Sequence, residues 1–247
     1  LESEYSNWSE AVSGFMRDPS SWQEKSWSAM QAANWNEIGM RSAGSLAGSY
    51  YDTSLVHINL GASLAGNTSK TNCLHMNFGV EHSLFSHNIN TQVLHNSGVS
   101  SGRDASFTAV NTYNSGRLEG THCFSFKGQK VKNTVTGEML GRTGVNVNIG
   151  TLEQEGRLEF AKGQVNIDRF RATGNSTSGL TDVALSGSAV DIQDNSRFAV
   201  KNCAVKEKEH VVFEKNTHVE TDNTSVNTKE VVVKGQLNHQ NGLFIAA

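Results

Sequence analysis

Apolar and polar side chains alternate one for one over long tracts of this chain. In Gly144-Val145-Asn146-Val147-Asn148-Ile149-Gly150 the valines and the isoleucine take every second position and the amides fill the gaps. In an extended strand that alternation places the apolar set on one face and the amides on the other. Related words stand at Val56-His57-Ile58-Asn59-Leu60-Gly61, at Leu74-His75-Met76-Asn77-Phe78-Gly79 and, in weaker form, at Val165-Asn166-Ile167-Asp168. Main strands begin at Phe124, Val145, Val165, Val190, Val211 and Val231, in steps of 21, 20, 25, 21 and 20 residues. An apolar anchor precedes each of them (Leu118, Met139, Leu158, Val183, Val205, Val226) and another follows (Val131, Leu152, Ala172, Phe198, Val219, Leu237).

Three short strands per period of about 20 residues predict an all-β parallel β-helix. Each coil of such a solenoid returns over the previous one and hydrogen-bonds to it at a ladder spacing of about 4.8 Å. The long step from Val165 to Val190 contains Thr173-Gly174-Asn175-Ser176-Thr177-Ser178-Gly179 and reads as a loop leaving the coil. Upstream, Val56 to Leu74 is 18 residues, Leu74 to Val93 is 19, and Val93 to Phe107 only 14. A sandwich or barrel would rest on hairpins, and the Asn-Gly turn word occurs once, at Asn241-Gly242.

Residues 1–50 have a different character. All four tryptophans (Trp8, Trp22, Trp27, Trp35) lie there, and Asn7 with Glu10 and Ser21 with Glu24 have the spacing of helix N-terminal caps. Two short amphipathic helices ending near Gly39 to Gly44 are expected, split at Asp18-Pro19-Ser20. The expected organisation is therefore a short α-helical N-terminal cap or linker over 1–50 and a parallel β-helix over 54–247.

Composition narrows the partners. Of 247 residues 36 % are hydrophobic, 23 are Gly, and Pro19 is the one proline, which suits continuous ladders because proline removes a donor. The net charge of −3 gives no electrostatic case for nucleic acid or an anionic membrane. No apolar run approaches the roughly 20 residues that span a bilayer. The chain begins at Leu1 rather than Met, so a piece of a longer protein is expected. Cys73, Cys123 and Cys203 are too few and too far apart for a disulfide framework or a zinc motif, and are expected to be small buried hydrophobes.

Candidate chemistry is sparse. His57 and His75 occupy one place in successive coils, with His82, His87 and His95 near, and stacked imidazoles are metal ligands. No carboxylate stands at a ligand spacing within those strands. The histidines, with Asn59 over Asn77, are therefore read as outward-facing stacks, and no catalytic, cofactor-binding or metal residue is assigned. Polysaccharide lyases and hydrolases on β-helices need clustered acids. The acids available are Asp168, Asp191 and Asp194, with Asp191 expected beside Asn166 and Asp194 beside Arg169 as an exposed ion pair. Asn7, Asn67, Asn175 and Asn223 fit the glycan-acceptor pattern, and Val205 to His210 reads as a charged, solvated corner.

Degenerate coils rich in Gly, Asn, Ser and Thr, with strands of the Val-Asn-Val-Asn-Ile-Gly kind and almost no Cys or Pro, resemble filamentous-haemagglutinin-type β-helices. Those build the stalks of bacterial secreted exoproteins, adhesins and contact-dependent toxins. The resemblance covers residues 54–245 and is architectural. It implies a non-enzymatic stalk or adhesive segment of a larger secreted or cell-surface bacterial protein. The partner would be a host-surface glycan or protein, or another chain at the open coil ends. The alternatives are a carbohydrate-active β-helix enzyme and an assembly module pairing through those ends.

Overall fold

The computed structural model describes residues 38–41, 49–52, 56–63, 66–71 and 73–247. Eighteen strands, β1 to β18 in chain order, join one sheet, and the pairing between rungs is parallel throughout. Parallel neighbours require a crossover. Here the crossover is the rest of the coil, so the sheet winds into a solenoid of about nine turns with rungs about 19 residues apart. The expected β-helix is what the pairing shows, and the antiparallel hairpins of a sandwich or barrel are not part of it. No helix occurs among the described residues. The two expected N-terminal helices lie outside them, except that β1 (Ile38–Arg41) and β2 (Ser49–Asp52) already belong to the ladder, pairing Ile38 with Val56 and Ser49 with Gly66. The solenoid therefore starts before residue 54.

Each coil has three faces. In one coil face 1 is β10 (Glu138–Gly141), and faces 2 and 3 are the two halves of β11 (Val145–Gln154), which turns a corner at Gly150. In β7 (Val80–Asn96), β8 (Val99–Asn114), β9 (Arg117–Asn133), β12 (Arg157–Ala172) and β13 (Thr177–Ile192) the three faces form one unbroken strand bent at two corners. Inward side chains stack in columns. On face 2, Ile89, Phe107, Phe126, Val147, Val165, Leu185 and Val205 lie one above another. On face 3, Leu94, Thr112, Val131, Leu152, Phe170, Val190 and Val211 do the same. Apart from Thr112 these residues make one buried apolar cluster.

Two registers differ from those expected. Val165 stacks on Leu185, and Val190 stacks on Phe170, so the step is 20 and not 25. Thr173 to Ser176 is then an ordinary turn into β13, with no inserted loop. Phe107 lies over Ile89, and Val93 under Asn111, which removes the anomalous step of 14. The cause is common to both: all three faces present an inward Val, Leu, Ile or Phe, so spacing alone slides from one face to the next.

The corner between faces 3 and 1 is built from a repeated word, Asn-x-Gly, which lengthens to Asn-x-x-x-Gly at Asn133 to Gly137. Asn59, Asn77, Asn96, Asn114 and Asn133 stack inside it, and the side-chain amide of each donates to the carbonyl oxygen of the next at 2.8–2.9 Å. Gln154 ends the spine, accepting from Asn133 at 2.7 Å. Each amide also donates to a backbone carbonyl across the corner, as Asn96 does to Arg117 O at 3.0 Å. Glycine follows because the rungs touch there: a Cβ built on Gly98 would stand 1.9 Å from the carbonyl oxygen of Gly79, and one on Gly116 2.0 Å from that of Gly98.

Candidate functional site

The corner word sets which side chains enter the interior. Two residues before the glycine, or four in the coil of Asn133 and Gly137, is the spine amide, and two residues after it is the first inward position of face 1. In later coils that position is Leu118, Met139 and Leu158, all buried. In β7 it is Glu81. On face 3, the inward position two residues before the spine amide holds His57 in β3 (Val56–Asn59) and His75 in β6 (Leu74–Asn77). Face 2 of β7 contributes His87, and face 1 of β8 contributes Ser100. All five are at most 4 % exposed.

These residues meet. His57 Nε2 and His75 Nε2 lie 3.2 and 3.0 Å from Glu81 Oε1, with their rings stacked at 4.3 Å and 16°. Glu81 Oε2 accepts from Ser100 Oγ at 3.2 Å, and Ser100 in turn accepts from His87 Nε2 at 2.6 Å. His87 Nε2 is itself 3.7 Å from Oε2. That arrangement puts the His87 proton on Nε2 and leaves its buried Nδ1 without a partner. Burial opposes ionisation of Glu81, but the charge of His75, hydrogen bonds from His57 and His75, and the field of His87 outweigh it and hold the carboxyl well below the usual range. Burial drives His87 the other way, down to about 4, against the pull of Glu81. Burial also pushes His95 down to about 4.

The expected stacking of His57 on His75 and of Asn59 on Asn77 is present, but the orientation is the reverse of that expected. The histidines and asparagines face inward; of the alternate apolar set Ile58 and Met76 are buried as well, while Leu60 and Phe78 are 53 % and 39 % exposed. The upstream words end in a corner and occupy face 3, whereas Val145 to Ile149 lies on face 2 before a different corner. Like spelling therefore gives opposite facing. Glu81 lies beyond the sequence reading, because it sits on another face and not in the histidine strands. Its signal was the alignment Gly79-Val80-Glu81 with Gly116-Arg117-Leu118 and Gly156-Arg157-Leu158. His82 lies beside the cluster, with Nδ1 2.8 Å from Ser101 Oγ.

The acids of the enzyme reading do not converge. Asp168 accepts from Ser188, Asp191 lies 3.0 Å from His210 Nε2 and stacks on Arg171 rather than beside Asn166, and Asp194 accepts from the backbone of Gly174 at 2.9 Å. Arg169 pairs with Glu209 and not with Asp194. Val205 to His210 lies within β15 (Ala204–Phe213) and takes in the corner between faces 2 and 3, where the register shifts opposite Gly187 to Ala189, while Glu207 is buried beside Gly187. Cys73 and Cys203 are buried as expected, but Cys123 is exposed, with Sγ 3.4 Å from His122 Nδ1, which lies 2.9 Å from Asp104 Oδ1. Of the acceptor asparagines, Asn7 lies outside the described residues, Asn67 is in β5 (Gly66–Lys70), and Asn175 and Asn223 are exposed.

Fold and interior together define a parallel β-solenoid whose first coils enclose a histidine–carboxylate cluster and an amide spine. No family model, curated protein or solved structure matches the chain. No helix among the described residues is long and apolar enough to cross a membrane.

Proposed function

We propose that the chain is a shaft: a non-enzymatic stalk or adhesive segment of a larger secreted or cell-surface protein of the filamentous-haemagglutinin-like kind. The supporting observation is the unbroken ladder. Residues 80 to 246 keep one rung per coil on each face, with register shifts at Ser83, Gly102, Gly187 and Asp222, so about nine rungs give a rod on the order of 45 Å long. Face 1 carries outward ion pairs between rungs, Arg117–Glu138–Arg157, with Glu159 pairing with Arg157 along its own rung. A host-surface glycan or protein would lie across that face. Glycan arrays and cell-binding assays test the adhesive role. Binding that is lost on charge reversal along face 1 supports it, and silence in both assays reduces the role to a spacer.

A second reading, an assembly module pairing end to end, draws on the last rung. Inward Val233 and Ile245 are 39 % and 44 % exposed there, whereas Val226 one rung earlier is 9 % exposed. A further rung, whether of a longer polypeptide or of an axial partner, would bury them. Mass by light scattering that rises with concentration supports this reading, and a constant monomer mass refutes it.

A further inference from the structure

We propose that His57, His75 and Glu81 form a binding site for one divalent transition-metal ion of the zinc class, enclosed within the first coils. The inference does not depend on the shaft reading.

The donor set is the first ground. Two imidazole nitrogens and a carboxylate oxygen suit such an ion. They come from two faces and three rungs, so no local sequence preference brings them together. Their spacing is the second ground. Metal–ligand bonds of about 2.0–2.2 Å in tetrahedral geometry set neighbouring donor atoms about 3.3 Å apart. Here the two Nε2 atoms stand 3.2 and 3.0 Å from Glu81 Oε1, and all three donors fall within 4.8 Å of one another. The rings now lie stacked, with centroids 4.3 Å apart and planes 16° apart, so the two imidazoles would have to fan apart for their in-plane lone pairs to meet at one ion in front of Oε1. The third ground is the support behind the carboxylate. Ser100 donates to Oε2 and is held in turn by His87, which is how outer partners fix a ligating carboxylate.

The energetic ground is the strongest. A carboxylate and three imidazoles inside a solenoid forgo hydration that costs several kcal/mol per ion unless charge is compensated within the site. The same columns hold Leu94 and Val131 on face 3 and Leu118 and Met139 on face 1, so apolar side chains fill these positions without difficulty elsewhere. A bound dication neutralises the carboxylate and uses the imidazole lone pairs. Because the site is closed, the ion enters as the coils wind, and its binding energy adds to folding.

The test is to unfold the full 247-residue chain in chelator, refold it with Co²⁺, and remove free metal. The expected result is one cobalt per chain, with visible d–d bands and no thiolate-to-cobalt charge transfer. The bands disappear in His75→Gln and persist in Cys123→Ser, the latter removing the thiol of the exposed Asp104–His122–Cys123 group. A refolded wild type that retains no cobalt overturns the proposal, as do bands that survive His75→Gln and vanish in Cys123→Ser. Should His75→Gln fail to fold, X-ray absorption on wild type decides: a nitrogen and oxygen shell supports the site, and a sulfur ligand refutes it.

Discussion

The two ends of the solenoid share a backbone and differ inside. Between residues 57 and 133 the inward columns hold His57, His75, Glu81, His87, Ser100, Thr112 and five asparagines, all buried. From Val145 to Val226 the same columns hold mainly Val, Ile, Leu and Phe, with Ser178, Glu207 and Thr221 as buried polar exceptions, and the column of the spine runs on from Gln154 through Ala172, Ile192 and Phe213. The ladder is indifferent to this change. A rung repeat near 4.8 Å lets an amide meet its copy above and below, so a polar interior is tolerated where each group finds a partner in the next rung. The apolar half needs no such matching and gains by area alone.

The contrast breaks most sharply at the corners. Gly98→Ala places a methyl against the backbone of Gly79, with no flexible side chain to give way, and is expected to cost about 4 kcal/mol or more. Gly174, in the later half, has φ +68° and open space around its Cβ position, so Gly174→Ala is expected to cost about 1 kcal/mol. Urea unfolding of both variants checks this, and equal costs would remove the close-stacked corner from the account. Next come the interiors. Phe170→Ala leaves a cavity in the dry half and is expected to cost about 3–5 kcal/mol. Asn114→Leu strips Asn133 Oδ1 and Glu138 O of their donor and is expected to cost about 2 kcal/mol despite the added apolar area. A stabilised Asn114→Leu would mean that the spine is merely tolerated.

The halves also respond oppositely to pH. His87 titrates near 4 when folded against about 6.5 when free, so the first coils lose stability as pH falls from about 6.5 to 4. The lowered carboxyl of Glu81 contributes stability above 4.5 that is lost as pH falls through its folded value. Glu207 is the reverse. Burial first, and then Asp168, push it up to about 8, and neither of its oxygens has a partner. Its neutral form is favoured in the fold, so stability is full below about 4.5 and is lost as pH rises through 8. Glu207→Gln should match wild type at pH 4 and exceed it by about 2 kcal/mol at pH 9, the full conversion being reduced because the ionised side chain can turn towards water. Unchanged stability at pH 9 would place Glu207 outside the core.

The rung-over-rung pairing was legible in the sequence because alternation and a period near 20 are backbone properties repeated about nine times. Leu118 over Met139, Val131 over Leu152 and Val190 over Val211 were all found that way. Facing was not legible from alternation. A strand of alternating residues has two possible inward sets, and apolar content chooses between them only where the interior is apolar. The rule places Ile58 and Met76 inside, and both are fully buried, but His57, Asn59, His75 and Asn77 beside them are buried as well. The corner glycine carries the facing information, because contact between rungs fixes its place in the coil whatever the core contains.

The smallest effect tests whether partnership, rather than polarity, governs the first half. Thr112 lies between Leu94 and Val131 on face 3, fully buried, and its hydroxyl has no hydrogen-bond partner. Unlike the asparagines it cannot reach a copy of itself, since its neighbours in the column are apolar. Thr112→Val keeps the shape and removes the orphaned hydroxyl, and is expected to stabilise the chain by about 1 kcal/mol. Val131→Thr, one rung on, makes the reverse change and is expected to cost about 1–2 kcal/mol. Opposite signs from two such similar exchanges, read by the urea midpoint at constant slope, would show that the first coils accept polar groups through pairing. A destabilised Thr112→Val would mean instead that this interior favours hydroxyls as such, and the division into a matched half and a dry half would have to be redrawn.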